Sequence, residues 1–301
     1  MDIEIKNNFN AKNMTSFKVS GLIKTAYFPK DVDELVFLLN NIEKPLVLGN
    51  CSNVLISSYG YDGNVIFTSN CNKYEINKNN VYAECGVKGP LLSQVVCELS
   101  LSGFEFMIGF PGSIGGEVYM NASAHSQAIS DNLTSAVVFD KQNKKVFELS
   151  KEELNFEYRQ SICKEKDYVV LSAKFELFEE NKENIKKRMD ENLEFRRSHQ
   201  PSLKLPNCGS VFKNPKNDSA GRILDCVGAK EFFYGGAKVW ENHANFIINS
   251  NDSTSEDILN LMKMMYNEVD KKFGVKLSPE VIYIGNKSKK EDEIWKILNQ
   301  K

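Results

Sequence analysis

Two short turns made of small residues could bind an anion through their main-chain N–H groups. One covers residues 49–53 with the sequence GNCSN, and the other covers residues 109–116 with the sequence GFPGSIGG. Glycine in an ordered segment costs conformational entropy, so it is kept where φ must be positive or where a ligand must lie against the main chain. Consecutive small residues can present several N–H groups to one anion as a concave nest. Two such turns could close on a pyrophosphate from two sides, although each alone is also compatible with an ordinary tight loop.

Neither turn has a standard nucleotide-binding signature. A P-loop requires Gly-Lys-Ser/Thr and a Rossmann turn requires GxGxxG, and the sequence contains neither string. The turns therefore predict anion binding by a less common arrangement of the main chain.

The elements around the two turns are those of a mixed α and β protein. Short strands at 46–49 and 54–57 are predicted to flank the first turn, and a helix from 91 to a C′ glycine, Gly103, precedes the second. Asp31 is expected to cap a helix over 31–41. The charged run 179–197 is predicted to be a helix with Ile185, Met189 and Leu193 on its buried side.

Residues after 150 are also predicted to form helices and strands. Ser150 and Glu153 form a capping box that predicts a short helix leading to Tyr158, and residues 210–214 are predicted to be a strand. Ser288 precedes one more amphipathic helix. The segment around residues 197–207 carries two prolines and little periodicity, which indicates a domain boundary.

Composition and charge exclude several classes of protein. The 301 residues are 42% hydrophobic and 26% charged, which is typical of a globular protein with a well-buried core. A formal net charge of −2 argues against a nucleic-acid partner held by broad electrostatics. The beginning of the chain has no basic, apolar leader, and no run of about 18 apolar residues occurs, so we expect neither a signal peptide nor a membrane-spanning helix.

The cysteines and histidines indicate neither a disulfide framework nor a metal site. The seven cysteines are an odd number without a CxxC pair, which favours a reducing cytoplasm over a disulfide framework. The three histidines lie too far apart to form a local zinc signature, and we predict no metal site.

An ordered set of segments resembles the UDP-N-acetylenolpyruvoylglucosamine reductase family, the flavoproteins of peptidoglycan precursor synthesis. The segments run from about Thr15 to Gly285 and read LGNCSNVLI, GFPGSIGGEVYMNA, YRQS, GSVFKNP, AGRILD, GGAKVWENHANFIIN and PEV. The resemblance is to the shorter form of the enzyme, which lacks an inserted tyrosine-bearing loop. It implies an α+β fold with a two-subdomain FAD-binding region of the vanillyl-alcohol-oxidase type and a C-terminal α+β substrate-binding domain. The expected ranges are 1–75 and 76–197 for the two FAD-binding subdomains and 198–301 for the substrate-binding domain with its tail.

The resemblance also assigns roles to single residues. The turns would lie along the FAD pyrophosphate, where side chains would obstruct the contact, and NADPH would load the flavin. Ser210 would donate the proton, while Arg159 and Glu280 would stabilise an enolate-like intermediate. Residues implied to contact the substrate are Tyr158, Lys213 and Asn214. Residues implied to bind FAD are Gly49, Asn50, Cys51, Ser52, Asn53, Pro111, Gly112, Ser113, Ile114, Gly115 and Gly116.

Read without the resemblance, several of these residues also fit structural roles. Ser210 could be a strand serine bonded to the main chain, Arg159 and Glu280 could form structural ion pairs, and Tyr158 could be a core ring. Lys213 and Asn214 precede Pro215 and could belong to a surface turn.

Three positions depart from the family pattern and keep other functions open. Cys51 replaces a glycine, Glu117 replaces a small residue, and Ile282 stands where arginine commonly follows PEV. A degenerate relative that only binds flavin or a UDP-sugar is one alternative. An FAD alcohol oxidase of the same superfamily is another, although it would be larger and lack the GSVFKNP and PEV segments. We expect a cytoplasmic monomer acting on a small-molecule substrate, with no nucleic-acid or membrane partner.

Overall fold

The computed structural model describes residues 2–202 and 204–300. Numbered in chain order, the helices are α1 Val32–Asn41, α2 Gly89–Glu98, α3 Ile114–Met120, α4 Ile129–Asn132, α5 Ile162–Glu165, α6 Lys182–His199, α7 Ala220–Cys226, α8 Ser255–Phe273 and α9 Lys289–Leu298. The strands are β1 Glu4–Asn10, β2 Leu22–Phe28, β3 Leu46–Leu48, β4 Val54–Ile56, β5 Tyr61–Phe67, β6 Tyr74–Asn77, β7 Asn80–Glu84, β8 Leu101–Ser102, β9 Ser123–Ala124, β10 Gln127–Ala128, β11 Leu133–Asp140, β12 Lys145–Ser150, β13 Tyr168–Glu176, β14 Phe178–Glu179, β15 Phe233–Tyr234, β16 Ala237–Trp240, β17 His243–Asn249 and β18 Ile282–Ile284.

The chain forms two compact units. The first contains Thr25–Asn50, Gly63–Arg196 and the beginning of the chain up to Lys6. The second contains Asn7–Lys24, Cys51–Asp62 and the residues from Arg197 onward. The chain therefore passes from one unit to the other inside the turn 49–53.

A five-stranded antiparallel sheet, in the order β12-β11-β13-β7-β6, is central to the first unit. Side chains alternate between its two faces because successive residues of a strand point to opposite sides. Val138 and Val170 enter a cluster with α2 and α3, whereas Phe139 and Leu171 enter a second cluster with α1. Each fully buried side chain of this size contributes about 1.5–3 kcal/mol. The helix that follows the second glycine turn is thus anchored in a core.

The second unit is built around the three-stranded antiparallel sheet β15-β16-β17 and the parallel pair of β4 with β18. Helices α7 and α8 contribute Ile223, Leu224 and Met262 to one large apolar cluster, to which α9 adds Ile294 and Leu298. This core supports the main-chain segments that carry Ser210 and Glu280.

Several predicted elements are confirmed, with the expected caps. The Asp31 carboxylate accepts a hydrogen bond from the Glu34 N–H at the start of α1. In α6, Ile185 and Met189 are the buried residues. Ser288 and Glu291 form the capping box of α9. These features depend on neighbours within one turn of helix, which is why the sequence could show them.

Three predicted elements differ from the structure. The helix predicted to end at Gly103 ends at Glu98, because Ser100 adopts a left-handed φ of +59° and residues 101–102 pair with β14 instead. The hydrogen bonds between Ser150 and Glu153 form, but turns rather than a helix follow, ending at Asn155 with φ +46°. Segment 210–214 makes only isolated bridges and is not a strand.

Candidate active site

The second glycine turn is packed tightly against its own unit. A Cβ at Gly112 would lie 2.3 Å from a carboxyl oxygen of Glu117, and one at Gly115 would lie 2.7 Å from the Cβ of Cys85. The N–H groups of Ile114 and Gly115 donate to the carbonyls of Val87 and Cys85, each at 2.9 Å. A side chain at Gly115 would therefore collide with Cys85 and its main chain, and one at Gly112 would displace the Glu117 side chain. The N–H groups of Ile114 and Gly115 hold the turn rather than a ligand.

The first turn begins beside the second one. The amide of Asn50 donates to the carbonyl of Pro111 at 2.6 Å. A Cβ at Gly49 would lie 2.5 Å from the hydroxyl of Ser113, so a side chain there would displace this hydroxyl. Residues 49–50 and 111–113 are thus brought together.

The hydroxyl of Ser113 lies where the two turns meet. It is buried, and it has no hydrogen-bond partner among the described residues. Leaving a buried hydroxyl unsatisfied costs about 1–3 kcal/mol, so such a group indicates a ligand or water. Beyond Gly116 the nearest atom that a Cβ would meet is the Ser113 hydroxyl itself, at 3.8 Å. An unpartnered donor next to a bare glycine face fits the pyrophosphate of a dinucleotide such as FAD.

Glu117 is the unexpected residue of this region. Its side chain is 2% exposed, and neither carboxyl oxygen has a hydrogen-bond partner among the described residues. Burial raises the pKa of this carboxyl to about 8, so it carries its proton at neutral pH. A neutral acid does not repel an anion bound at the turn, which makes glutamate compatible with a position where the family usually has a small residue.

Cys51 occupies the turn in a backbone conformation that favours glycine. Its φ is +49°, and its side chain is buried. A left-handed conformation costs a residue with a Cβ about 1–2 kcal/mol. Burial raises the pKa of the thiol to about 12, so it stays protonated and is a poor nucleophile.

Tyr158 and Arg159 lie at the tip of a small hairpin. Glu157 and Gln160 exchange main-chain hydrogen bonds of 3.1 and 3.2 Å around them, and Arg159 has a φ of +57°. The guanidinium donates to the Ser123 hydroxyl at 2.8 Å and lies 5.2 Å from the centre of the Tyr158 ring. Tyr158 is 56% exposed, so it is not a core ring.

Helix α3 connects this hairpin to the glycine turn. Asn121 caps its C-terminal end, and the amide of this residue donates to the Glu157 carbonyl at 3.0 Å. The helix begins in the turn at Ile114 and has seven residues, a length of about 10 Å. One short helix thus positions both the anion-binding turn and Arg159. The sequence analysis assigned no role to Asn121 and Ser123, although Asn121 lies within the segment GFPGSIGGEVYMNA and Ser123 directly follows it.

In the second unit, the main chain around Ser210 is held by a side chain. Asn245 is buried, and its amide both accepts from the Phe212 N–H at 3.0 Å and donates to the Phe212 carbonyl at 2.9 Å. The N–H of Val211 donates to the Asn245 carbonyl, and Ser210 forms a bridge with Phe246. The asparagine takes the place of a strand partner, which is why no regular strand forms. The sequence analysis missed this residue as well.

Glu280 lies next to the Ser210 segment. Its N–H donates to the Val211 carbonyl at 2.9 Å, and its own carbonyl accepts from the Asn53 amide at 3.0 Å. Burial, and then the charge of Glu280, raise the pKa of the Cys208 thiol well above its usual range, which places this carboxylate near a buried thiol that stays protonated. The structure therefore brings together Ser210, Glu280 and the end of the first turn.

Lys213 and Asn214 follow on the same segment. The N–H of Lys213 donates to the Ser278 carbonyl at 2.9 Å, and the amide oxygen of Asn214 accepts from the Ala220 N–H at 3.0 Å at the start of α7. Asn214 is exposed and Lys213 is half-buried. Both side chains are accessible enough to contact a ligand.

Within residues 2–202 and 204–300, no group of three or more His, Cys, Asp or Glu side chains is arranged to hold a metal ion. Over the same residues, no helix is both long and apolar enough to cross a bilayer.

Comparisons with known proteins found family models and relatives that match this chain. A family model described as an FAD binding domain matches residues 24–150, and one described as the C-terminal domain of UDP-N-acetylenolpyruvoylglucosamine reductase matches residues 200–284. The UDP-N-acetylenolpyruvoylglucosamine reductase of Caldicellulosiruptor saccharolyticus is 36% identical over 95% of this chain and 93% of its own length. That of Clostridium beijerinckii is 41% identical over 88% of each chain.

A solved structure extends the agreement to the fold. The crystal structure of UDP-N-acetylenolpyruvylglucosamine reductase from Thermus caldophilus matches with a TM-score of 0.80 and 30% identity, over 94% of this chain and 99% of that one. The implied α+β fold with an FAD-binding region of the vanillyl-alcohol-oxidase type is confirmed. The chain belongs to the UDP-N-acetylenolpyruvoylglucosamine reductase family.

Proposed function

We propose that this chain reduces the enolpyruvyl ether of UDP-N-acetylglucosamine-enolpyruvate to UDP-N-acetylmuramate, with FAD as cofactor and NADPH as reductant. The observation that carries the proposal is the pair of turns joined by Asn50 and Pro111 around the unpartnered Ser113 hydroxyl, in a chain of this family. Residues 49–53 and 111–116 form the turns that would hold the cofactor, and within them the N–H groups of Ile114 and Gly115 hold the turn itself.

The reaction defines what the protein must supply. An enolpyruvyl ether is an alkene conjugated to a carboxylate, so its reduction needs hydride at the terminal carbon and a proton at the carbon that bears the carboxylate. FAD, reduced by NADPH, supplies the hydride when it is bound. The protein must orient the alkene, stabilise the enolate-like charge and deliver one proton.

Ser210 is the proposed proton donor. A hydroxyl is a weak acid in water, but a strongly basic carbon held within hydrogen-bond reach can take its proton. The bridge to Phe246 and the bonds of Asn245 fix the main chain on either side of the serine. This rigidity would keep the hydroxyl at one position relative to the substrate.

Arg159 and Glu280 are the proposed stabilisers of the enolate. A guanidinium fork matches a carboxylate that gains charge, and the Ser123 hydroxyl and Tyr158 ring restrain its orientation. Glu280 can assist an anion only by donating a proton or a hydrogen bond to it, and this is the role proposed for its carboxyl group. Tyr158, Lys213 and Asn214 are the proposed substrate contacts.

The wider setting follows from the same proposal. We propose that 1–75 and 76–197 form the two FAD-binding subdomains and that 198–301 forms the substrate-binding domain with its tail. The protein would act in the cytoplasm as a monomer, on small molecules only, without a nucleic-acid partner.

Purification and assay test the proposal. The protein should be yellow, release FAD on heating, and oxidise NADPH only when the enolpyruvyl UDP-sugar is added. Bound FAD without turnover would support a degenerate binding protein instead, and release of FMN would contradict a site built for a pyrophosphate. Turnover of an alcohol with oxygen would support an oxidase.

A further inference from the structure

Asn53 makes two hydrogen bonds to the segment that carries Glu280. Its side-chain amide donates to the Glu280 carbonyl, and its own carbonyl accepts from the Ile282 N–H, each at 3.0 Å. The second bond opens the parallel pairing of β4 with β18, in which Ile282 lies opposite Val54. The side chain of Asn53 therefore adds one hydrogen bond beyond the end of the regular ladder. This bond is made to Glu280, the residue proposed to stabilise the enolate.

The main chain of Glu280 is held by hydrogen bonds on both sides of the residue. Its N–H is bonded to the Val211 carbonyl and its carbonyl to Asn53, while the preceding Pro279 forms an isolated bridge with Phe212. Because Val211 follows Ser210 directly, the Val211 bond holds the main chain of Glu280 beside that of the serine. The Asn53 bond holds the next peptide group, on the other side of the Glu280 Cα. Its loss would remove one of the two hydrogen bonds that hold the main chain at this residue.

We propose that Asn53 is a positioning residue for Glu280: through the Glu280 carbonyl it holds the carboxyl group in register with Ser210. This inference rests on the proposed role of Glu280. It gives Asn53 a function in the reoxidation of the enzyme by substrate, beyond any contact that it makes with the cofactor.

The test separates the two half-reactions in FAD-saturated enzyme. In Asn53→Ala, flavin reduction by NADPH reports any effect of the substitution on the cofactor, because Asn53 belongs to the turn proposed to hold it. Relative to wild type, Asn53→Ala should slow reoxidation by the enolpyruvyl substrate roughly 10- to 100-fold more than it slows flavin reduction, since misplacement of a reacting group by about 1 Å costs up to that much. Asn53→Ser keeps a polar group that is too short to reach the Glu280 carbonyl, so it should behave in the same way. It replaces the alanine variant in this test if that variant loses stability.

A double-mutant cycle shows whether Asn53 acts through Glu280. In a Glu280→Gln background, Asn53→Ala should slow reoxidation by much less than in wild type, because coupled residues are non-additive. Asn260→Ala is the matched control, since its amide also donates to a main-chain carbonyl, that of Glu256 at 2.8 Å, but within α8. It should leave both half-reactions at the wild-type rate.

Each contrary result has a distinct meaning. If Glu280→Gln slows reoxidation but both Asn53 variants do not, the positioning role of Asn53 is wrong and the proposed function stands. An undiminished effect of Asn53→Ala in the Glu280→Gln background would also overturn it. If Glu280→Gln is as fast as wild type, the proposed role of Glu280 and the inference both fail.

Discussion

At the scale of single residues, Ser210 offers the most direct test of the proposed chemistry. Ser210→Ala should leave flavin reduction by NADPH near the wild-type rate, because that step takes no proton from the serine. Reoxidation by substrate should slow by about 10²- to 10⁴-fold, the usual contribution of general acid catalysis. Ser210→Cys should recover part of the loss, since a thiol is the stronger acid. Stopped-flow absorbance of the flavin measures both steps.

Ser250→Ala provides the control for that variant. The Ser250 hydroxyl donates to the Gly236 carbonyl at an exposed site, so its removal should change neither step. Equal slowing of both half-reactions in Ser210→Ala would show that Ser210 is a structural residue.

Glu117 should make stability depend on pH. Its folded-state pKa of about 8 lies above the ordinary value of 4.5, so the folded protein binds the proton more tightly than the unfolded chain does. Stability should therefore fall as pH rises from about 4.5 to about 8, by an amount that could reach roughly 5 kcal/mol. Glu117→Gln removes this titration. We expect the variant to gain stability over wild type as pH rises towards 8, measured by denaturant unfolding of the flavin-free protein.

The difference in unfolding free energy between wild type and Glu117→Gln separates the titration of Glu117 from that of other groups. Glu43→Gln, at an exposed glutamate, should run parallel to wild type across the same pH range. A Glu117→Gln curve that is also parallel to wild type would mean that the carboxylate is accommodated as an anion in the folded state.

At the scale of elements, the Ser210 segment depends on one asparagine rather than on a strand partner. Asn245→Ala removes both hydrogen bonds to Phe212 and leaves two buried main-chain groups unsatisfied. At about 1–3 kcal/mol for each group, the free energy of unfolding should fall by roughly 2–6 kcal/mol. Urea denaturation measures the loss. Asn299→Ala, which removes an exposed amide bond to Trp295, should cost far less, and equal losses would contradict the proposed support.

At the scale of the whole molecule, a flavin should stabilise the fold by an amount that depends on whether it carries a pyrophosphate. FAD at about 100 times its dissociation constant should add about 2.7 kcal/mol by mass action. FMN at the same concentration should add much less, because it lacks the pyrophosphate that the joined turns fit. Thermal unfolding with each flavin, and with riboflavin as a control without phosphate, measures the difference. An equal shift with FAD and FMN would contradict the assignment of the turns.

The sequence by itself determined the family, the order of the motifs and the locally capped helices, because these depend on residue identity and on neighbours within one turn. Asp31 at α1 and Ser288 at α9 are examples. Only the tertiary structure showed where internal packing requires glycine, since a Cβ at Gly115 would lie 2.7 Å from the Cβ of Cys85. Likewise, the bonds from Asn245 to Phe212 and from Asn53 to Glu280 join residues 33 and 227 positions apart. No local pattern encodes such a pairing, because it exists only once the core has placed the two segments side by side.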